Sequence, residues 1–352
     1  MKLIFKQIGL LLGALVAMYG VLLVACLLLV PRTELSQRLN AGSAGSSLFL
    51  TEPKYVFMAR SQLNSLDDKA ILVGASNMLV GFKQPQVQAL VPSMQVHNLS
   101  VGGSNITQIN QIVDLVREVQ TPDARRHDTW VIGLWYGVFA EDRARWFTPD
   151  RHGGDTDIDI ERYRYGFYRR TEEGPKPVLP PSYLDFGTTL IHPYLVLDRT
   201  ARDLTSALRA SMSGRPAGLT DAQRNAVVLS TEEKRKYFEF WRAYMGDTDA
   251  LTDAPFQVLE TMVNGILADG GKVVLVDMPI PQWHAQGSPL WADYRRRVDP
   301  LLAKLQTHAA VKVLKMEDAN ADNDFSDEVH PKPRVTPAWA QRLASVLSAQ
   351  TP

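Results

Sequence analysis

The feature that most constrains this chain is an uncharged apolar run near its amino terminus. Residues 8–30, IGLLLGALVAMYGVLLVACLLLV, contain no charged side chain. At a rise of about 1.5 Å per residue, a helix of this length crosses a hydrocarbon core of about 30 Å. Lys2 and Lys6 precede the run, and a short basic tail is the cheaper side to keep in the cytoplasm. We therefore predict a cytoplasmic tail at 1–7, a single-pass inner-membrane anchor at 8–30 and a periplasmic domain.

Two other interpretations of the run place the rest of the chain outside the cytoplasm as well. A cleaved signal peptide normally has a shorter apolar region and a small-residue cleavage site. The segment LVAC, ending at Cys26, is similar to a bacterial lipoprotein processing box, but the apolar run continues for four residues beyond that cysteine. Cys26 is the only cysteine, so an internal disulfide framework is excluded.

Length and composition set the class of the exported part. The chain has 352 residues, and 45% of them are hydrophobic, which suffices for one large domain with a sizeable core. The 38 Lys and Arg residues balance the 38 Asp and Glu residues, so net charge gives no reason to expect a nucleic-acid partner.

Strand-like and helical segments then alternate along the chain. Apolar strand-like runs occupy 70–74, 94–101, 129–135, 272–280 and 311–316, and helical patterns include 106–119 and 337–347, the latter with Thr336 as its expected N-cap. This alternation predicts an α/β fold, a three-layer, doubly wound, mostly parallel five-stranded sheet. We expect a linker and approach to the domain at 31–64 and the domain at 65–348. An insertion at about 140–235 is either a substrate-facing cap or an excursion with its own small core.

Three loops carry the residues of a serine mechanism. Ser76 directly follows the first strand in ILVGASNMLVGF, and Asp327-x-x-His330 precedes the last helix. Parallel sheets bind ligands at the carboxyl ends of their strands, where both loops would meet. Asp327 would orient His330, and His330 would take the proton from Ser76. In NLSVGGSN, after the second strand, the N–H of Gly103 could donate to an oxyanion together with the N–H of Ser76.

The order of these blocks resembles the SGNH (GDSL) hydrolase superfamily over roughly residues 65–348. Its Gly-Asp-Ser block reads Gly74-Ala75-Ser76 here, its glycine block maps the oxyanion glycine to Gly103, and its last block maps to Asp327 and His330. Its third block departs, because the family's Gly-x-Asn-Asp is replaced by GLWYGVF at 133–139, without the donor asparagine. Candidate replacement donors are Asn77, Asn105 and Tyr136. We assign Asn105 to the oxyanion site and Asn77, Trp135 and Tyr136 to substrate binding.

The anchor and the altered third block together resemble one subset of that superfamily. Its members are membrane-anchored and work with a membrane-bound O-acyltransferase, as the alginate and cellulose O-acetylation proteins and the D-alanyl-transfer protein of teichoic acid do. The resemblance implies a serine acyltransferase or esterase that uses an acyl donor or an acylated exported glycan, without a cofactor.

Two alternatives stay open at the level of sequence. The first is a catalytically weak or inactive envelope protein that binds a glycan or the membrane-bound O-acyltransferase, which the missing asparagine favours. The second is metal catalysis through the carboxylates of 322–330, for which no His-x-x-x-His or Cys ligand spacing occurs elsewhere. His97, His192 and His284 stand alone in unrelated contexts and are interpreted as structural.

Overall fold

A five-stranded, entirely parallel sheet forms the centre of the domain. The computed structural model describes residues 1–30, 55–57, 59–140, 168–171, 174–213 and 220–349. The sheet contains β1 (Lys69–Val73), β2 (Gln95–Asn98), β3 (Asp128–Leu134), β6 (Lys272–Asp277) and β7 (Val311–Lys315), in the spatial order β2–β1–β3–β6–β7. The prediction of an α/β fold with five such strands is confirmed.

The three inner strands, β1, β3 and β6, are buried because their sequences are mostly apolar. Every residue of β1 and β3 is buried, as expected for parallel strands covered on both faces. Two strands end three residues earlier than predicted, at Asn98 and Asp277. Asn98 ends its strand by donating from its side chain to the carbonyl of Phe82 at 2.9 Å, and β6 is followed by two prolines, which lack the N–H of a ladder.

Helices occupy most of the connections. They are α1 (Lys2–Leu29), α2 (Arg60–Leu63), α3 (Ser76–Gly81), α4 (Gln84–Leu90), α5 (Ile106–Val119), α6 (Pro122–Arg125), α7 (Pro181–Leu190), α8 (His192–Ser213), α9 (Asp221–Ala226), α10 (Thr231–Tyr244), α11 (Ala254–Ala268), α12 (Gln282–Gly287), α13 (Pro289–Leu305) and α14 (Thr336–Ser348). Helix α4 packs against α14, and α5 packs against α11. Short 3₁₀ turns lie at Tyr136–Phe139 and Asp322–Asp324.

Two helix boundaries differ from the sequence prediction. Helix α1 begins at Lys2, so the segment predicted as a separate tail is helical, because KLIFKQ contains no helix-breaking residue. It remains long and apolar enough to cross a membrane. The N-cap of α14 is Val335 and not Thr336, whose hydroxyl instead donates to the Pro333 carbonyl at 3.1 Å from the first helical position.

The predicted insertion at 140–235 is described only in part. It contains the antiparallel hairpin of β4 (Tyr168–Thr171) and β5 (Gly174–Pro177), helices α7 to α9 and the start of α10. Residues 141–167 and 214–219 lie outside the described part of the chain, as do 31–54 and 58 of the predicted linker. Whether the insertion is a cap stays a prediction.

Candidate active site

The turn that carries Ser76 packs closely against the helix that follows it. Ser76 is the first residue of α3 and directly follows the turn after β1. A Cβ atom at Gly74 would lie only 2.7 Å from the Cβ of Met78, so the turn accepts no larger residue there without a shift. Ser76 is therefore presented at the carboxyl end of β1 by a turn that depends on glycine.

The histidine loop is closed on itself by backbone hydrogen bonds. Phe325 and Pro331 form an isolated antiparallel bridge, and the N–H of Ser326 donates to the His330 carbonyl at 2.9 Å. Within this loop, one Asp327 oxygen accepts the N–H groups of Val329 at 3.0 Å and His330 at 2.7 Å. The Asp327 carboxylate is thus held in place before it contacts the imidazole.

Ser76, His330 and Asp327 form a continuous hydrogen-bonded chain. The second oxygen of Asp327 lies 2.8 Å from Nδ1 of His330, and Nε2 of His330 lies 2.7 Å from Oγ of Ser76. A carboxylate cannot donate, so Nδ1 carries the proton and Nε2 accepts from the serine hydroxyl. The structure brings these three predicted residues together in the arrangement that general-base activation of a serine requires.

The surroundings of His330 and Asp327 shift the pKa values of both side chains in the directions that a catalytic triad requires. Desolvation is the largest influence on the His330 pKa and lowers it, but the hydrogen bond and charge of Asp327 and the charge of Glu328 outweigh it. The His330 pKa therefore lies above its usual 6.5. Desolvation likewise raises the pKa of Asp327, yet its hydrogen bonds from His330 and from backbone N–H groups lower it below the usual value. Asp327 stays ionised, and an imidazolium beside it is stabilised.

The glycine loop is attached directly to the serine turn. The N–H of Val101 donates to the Gly74 carbonyl at 2.9 Å, and the hydroxyl of Ser104 donates to the same carbonyl at 3.1 Å. A Cβ built on Gly102 would lie 3.8 Å from the Cβ of Ser76. Gly103 has a φ of +70°, which only glycine adopts readily, and it is exposed with open space where a Cβ would stand. Gly102, which the sequence marked with Gly103 for close backbone approach to a ligand, thus lies beside the nucleophile, and the oxyanion role of Gly103 stays a prediction.

The predicted amide donors have different surroundings. Asn105 is the N-cap of α5, and it exchanges hydrogen bonds of 3.0 Å with Gln108 in a capping box. Asn77 is buried, and its side-chain oxygen accepts the N–H of Met78 at 2.9 Å. The Asn77 amide nitrogen has no hydrogen-bond partner in the described part of the chain. Of the two asparagines, Asn77 thus has an amide nitrogen next to Ser76 in sequence that donates to no other described group.

Trp135 and Tyr136 lie in a buried aromatic cluster. The Tyr136 hydroxyl is 2.6 Å from Nε2 of His284, and Nδ1 of His284 is 2.8 Å from the Glu328 carbonyl. Since a carbonyl only accepts, Nδ1 of His284 carries the proton and Tyr136 donates to Nε2. Burial lowers the His284 pKa to about 4, so this imidazole is neutral. The structure thus uses Tyr136 to hold the triad loop through His284, and the predicted roles of Trp135 and Tyr136 in substrate binding stay predictions.

Helix α10 contributes a contact that sequence analysis missed. The indole N–H of Trp241 donates to the Glu328 carboxylate at 3.2 Å, and its ring packs edge-on against Trp135 at 4.7 Å. Desolvation and the neighbouring charge of Asp327 raise the pKa of Glu328. Glu328 is therefore directed toward α10, and Asp327 is the acid that contacts His330. The aromatic run of α10 was the available signal, but its partner lies 87 residues away in sequence.

A shallow cleft of about 40 Å³ lies beside the loop of Asp327 and His330. Its walls include the Trp283 ring and the side chains of Lys234, Asp322 and Lys332. Lys332 is only 2% exposed, and desolvation lowers its pKa. Lys332 follows His330 by two residues, so its Cα lies within about 7.6 Å of the histidine Cα. The cleft is therefore close to the histidine loop along the backbone, although Ser76, Asp327 and His330 do not line it.

Only the geometry described above identifies the site. In the described part of the chain, no group of three or more His, Cys, Asp or Glu side chains could hold a metal ion. No protein-family model matches the sequence, and no curated protein matches it significantly.

Proposed function

We propose that this chain is a membrane-anchored serine acyltransferase or esterase that acts on an exported polysaccharide or another acylated envelope molecule. The observation that carries the proposal is the continuous hydrogen-bonded chain from Ser76 Oγ through His330 to Asp327. Two loops far apart in sequence supply it, and an arrangement of that kind is rarely needed for stability alone.

The mechanism follows from the positions of the atoms. Ser76 Oγ attacks the acyl carbonyl carbon while its proton passes to Nε2 of His330. The resulting imidazolium, stabilised by Asp327, returns this proton to the leaving oxygen as the tetrahedral intermediate collapses to an acyl-serine. His330 then takes a proton from a sugar hydroxyl or from water, which attacks the acyl-serine and releases Ser76 with its proton restored.

The developing oxyanion needs donors beside Ser76. The first N–H groups of a helix have no intrahelical acceptor, which leaves the N–H of Ser76 to donate together with the glycine loop. The amide group of Asn77 is our candidate for the donor that the third block lacks, with Asn105 and Tyr136 occupied in a cap and in the contact with His284.

The fold and location that we propose are those of an SGNH-like enzyme. The sheet order and the helix pairs α4–α14 and α5–α11 support a three-layer, doubly wound sheet. The apolar helix α1 supports an inner-membrane anchor with a periplasmic domain. Its natural partner would be a membrane-bound O-acyltransferase that supplies acyl groups. The cleft with Trp283 and charged side chains supports a glycan as the second substrate.

A second candidate function is an envelope protein that binds a glycan without turning it over. The third block favours it, because that block lacks the donor asparagine and its Tyr136 is fully buried. A missing oxyanion donor costs about 10² to 10³ in rate.

Covalent labelling of the purified full-length protein by a fluorophosphonate separates the two functions. The proposed enzyme is labelled at Ser76, and Ser76→Ala removes the label, whereas Ser345→Ala, at an exposed serine of α14, leaves it unchanged. Absence of labelling in the wild-type protein would leave the binding protein as the better interpretation. Intact mass after exposure to p-nitrophenyl acetate, with and without sugar acceptors, then distinguishes transfer from hydrolysis.

A further inference from the structure

Helices α7 and α8 expose a large apolar surface beside α1. The exposed side chains on these helices and at their junction are those of Tyr183, Phe186, Leu190, Tyr194, Leu197, Leu204, Leu208 and Met212. Soluble surfaces carry scattered apolar residues, but a contiguous patch of large ones usually marks an interaction site. The serine chemistry proposed above does not account for this surface.

On α8 the exposed apolar residues form a single stripe. Leu197, Leu204, Leu208 and Met212 follow the spacing i, i+7, i+11 and i+15, which places them on one face of a helix. Their exposed fractions run from 52% at Leu197 to 87% at Met212. The stripe is about 22 Å long at the helical rise per residue. Helix α8 is thus amphipathic, with an apolar face that no other described segment covers.

The junction of α7 and α8 contacts the carboxyl-terminal part of the candidate membrane anchor. Nε2 of His192 lies 2.7 Å from the Val30 carbonyl, directly after α1, and the Tyr19 hydroxyl donates to the Leu190 carbonyl. His192 and Leu195 are buried, so this end of α8 is fixed in place. Helix α1 has 28 residues and is about 42 Å long, which exceeds a hydrocarbon core of about 30 Å. The carboxyl-terminal turns of a membrane-crossing α1 therefore extend beyond the hydrocarbon, and α8 begins beside them.

We infer that α8 lies on the lipid bilayer, with the stripe of Leu197, Leu204, Leu208 and Met212 in the boundary between headgroups and acyl chains. Amphipathic helices of this length bind membranes in that orientation. The contact with α1 indicates that the bilayer covers this stripe. When α1 spans the membrane, the apolar surface of α8 that adjoins it faces lipid. A second copy of the chain or a membrane protein would cover the stripe without lipid contact. Attachment to the bilayer through α8 as well as α1 would fix the orientation of the domain, which could tilt freely if α1 alone anchored it.

Depth-dependent fluorescence quenching tests this assignment on the full-length protein. In a Cys26→Ala background, an NBD probe is attached to Leu204→Cys, Leu208→Cys or Met212→Cys in liposomes of phosphatidylethanolamine and phosphatidylglycerol. Val228→Cys is the matched control, since Val228 is an apolar residue that is 79% exposed but lies outside the stripe. We expect blue-shifted emission and quenching by doxyl-labelled lipid at the three stripe positions and neither at 228.

Two results would overturn the inference. Unshifted, unquenched emission at 204 and 208 would place the stripe in water, and blue-shifted emission that doxyl lipid does not quench would show that protein covers it. A variant with Leu204→Glu and Leu208→Glu provides a second test, because the probe at 212 should then lose most of its lipid quenching while α1 keeps the protein in the liposome. Persistent quenching in that variant, or in Leu208→Glu alone should the double variant not fold, would also contradict the inference.

Discussion

Two histidines of this protein make the same pattern of hydrogen bonds and have opposite properties. His330 and His284 each donate from Nδ1 to an oxygen and accept at Nε2 from a hydroxyl. The Nδ1 partner is the Asp327 carboxylate for His330 and the Glu328 carbonyl for His284. Burial lowers the pKa of both imidazoles, but only the Asp327 carboxylate carries a charge that outweighs it. The pKa of His330 therefore lies above its usual value, while that of His284 falls to about 4. The comparison teaches that a charged orienting partner separates a candidate base from a structural histidine.

The largest expected effect comes from removing the base itself. His330→Ala should lower the rate of Ser76 labelling by about 10⁴ to 10⁶, because it removes the Nε2 atom that accepts the serine proton. The measurement is the second-order labelling rate with a fluorophosphonate, and His308→Ala, at an exposed histidine, is the matched control. If both variants label at the wild-type rate, His330 is not the base.

Asp327→Asn should make His330 resemble His284. The neutral amide no longer stabilises the imidazolium and can hold the ring in the wrong tautomer, which costs about 10⁴ in other serine triads. Circular dichroism should show an unchanged fold. An Asp327→Asn protein that labels normally, alongside a Glu328→Gln protein that does not, would move the orienting role to Glu328.

The two histidines should respond to pH in opposite ways. Labelling requires neutral His330, so its rate should rise about tenfold per pH unit below the raised His330 pKa and level off above it. The ion pair between protonated His330 and Asp327 stabilises the folded state. Its contribution is full below pH 6.5 and is lost as pH rises through the pKa of His330 in the folded protein.

His284 shows the reverse linkage with stability. In the unfolded chain His284 is protonated below about pH 6.5, whereas in the folded protein it stays neutral down to about pH 4. The contribution of neutral His284 to the free energy of unfolding is therefore full above pH 6.5 and is lost as pH falls toward 4. Urea denaturation of wild type and His284→Gln between pH 7.5 and 4 measures this contribution. A wild-type protein that loses no more stability on acidification than the variant would contradict the neutral assignment.

Tyr136→Phe should affect stability more than chemistry. It leaves Nε2 of His284 without its buried donor, which costs about 1 to 3 kcal/mol of unfolding free energy. The denaturation midpoint should fall, and the labelling rate should change by less than about tenfold, since Tyr136 does not contact Ser76. Tyr183→Phe, at an exposed tyrosine, is the control, and an unchanged midpoint in Tyr136→Phe would argue against the contact with His284.

Glu328→Gln should have the smallest effect. The amide oxygen can still accept from Trp241, and only the distant charge that helps to raise the His330 pKa is lost. We expect a labelling rate within about threefold of wild type at pH 8 and a pH profile displaced toward acid by less than about one unit. A displacement toward alkaline pH would show that the sign of this interaction is wrong.

Local sequence determined the elements and the order of the chemical groups. The uninterrupted apolar run 8–30 predicts a helix long enough to span, and short apolar runs between turn residues predict the five strands, because both signals arise from neighbours along the chain. Parallel pairing then brings strand ends together, so the positions of Ser76 and of the Asp327–His330 loop at one edge of the sheet follow from strand order. The hydrogen bonds within Asp-x-x-His are local for the same reason.

Only the tertiary structure decided which distant side chains meet. The sequence offered Asn77, Asn105 and Tyr136 as donors and favoured Asn105, but their different surroundings come from Met78, Gln108 and His284. Trp241 and Glu328 are 87 residues apart, and His192 and Val30 are 162 apart, so no pattern along the chain could pair them. Gly102 lies next to Ser76 because the glycine loop packs within a few ångströms of the serine turn, a distance that the sequence does not encode locally. Periodicity reports which face of an element is buried, whereas the partner on that face is fixed by how the whole core packs.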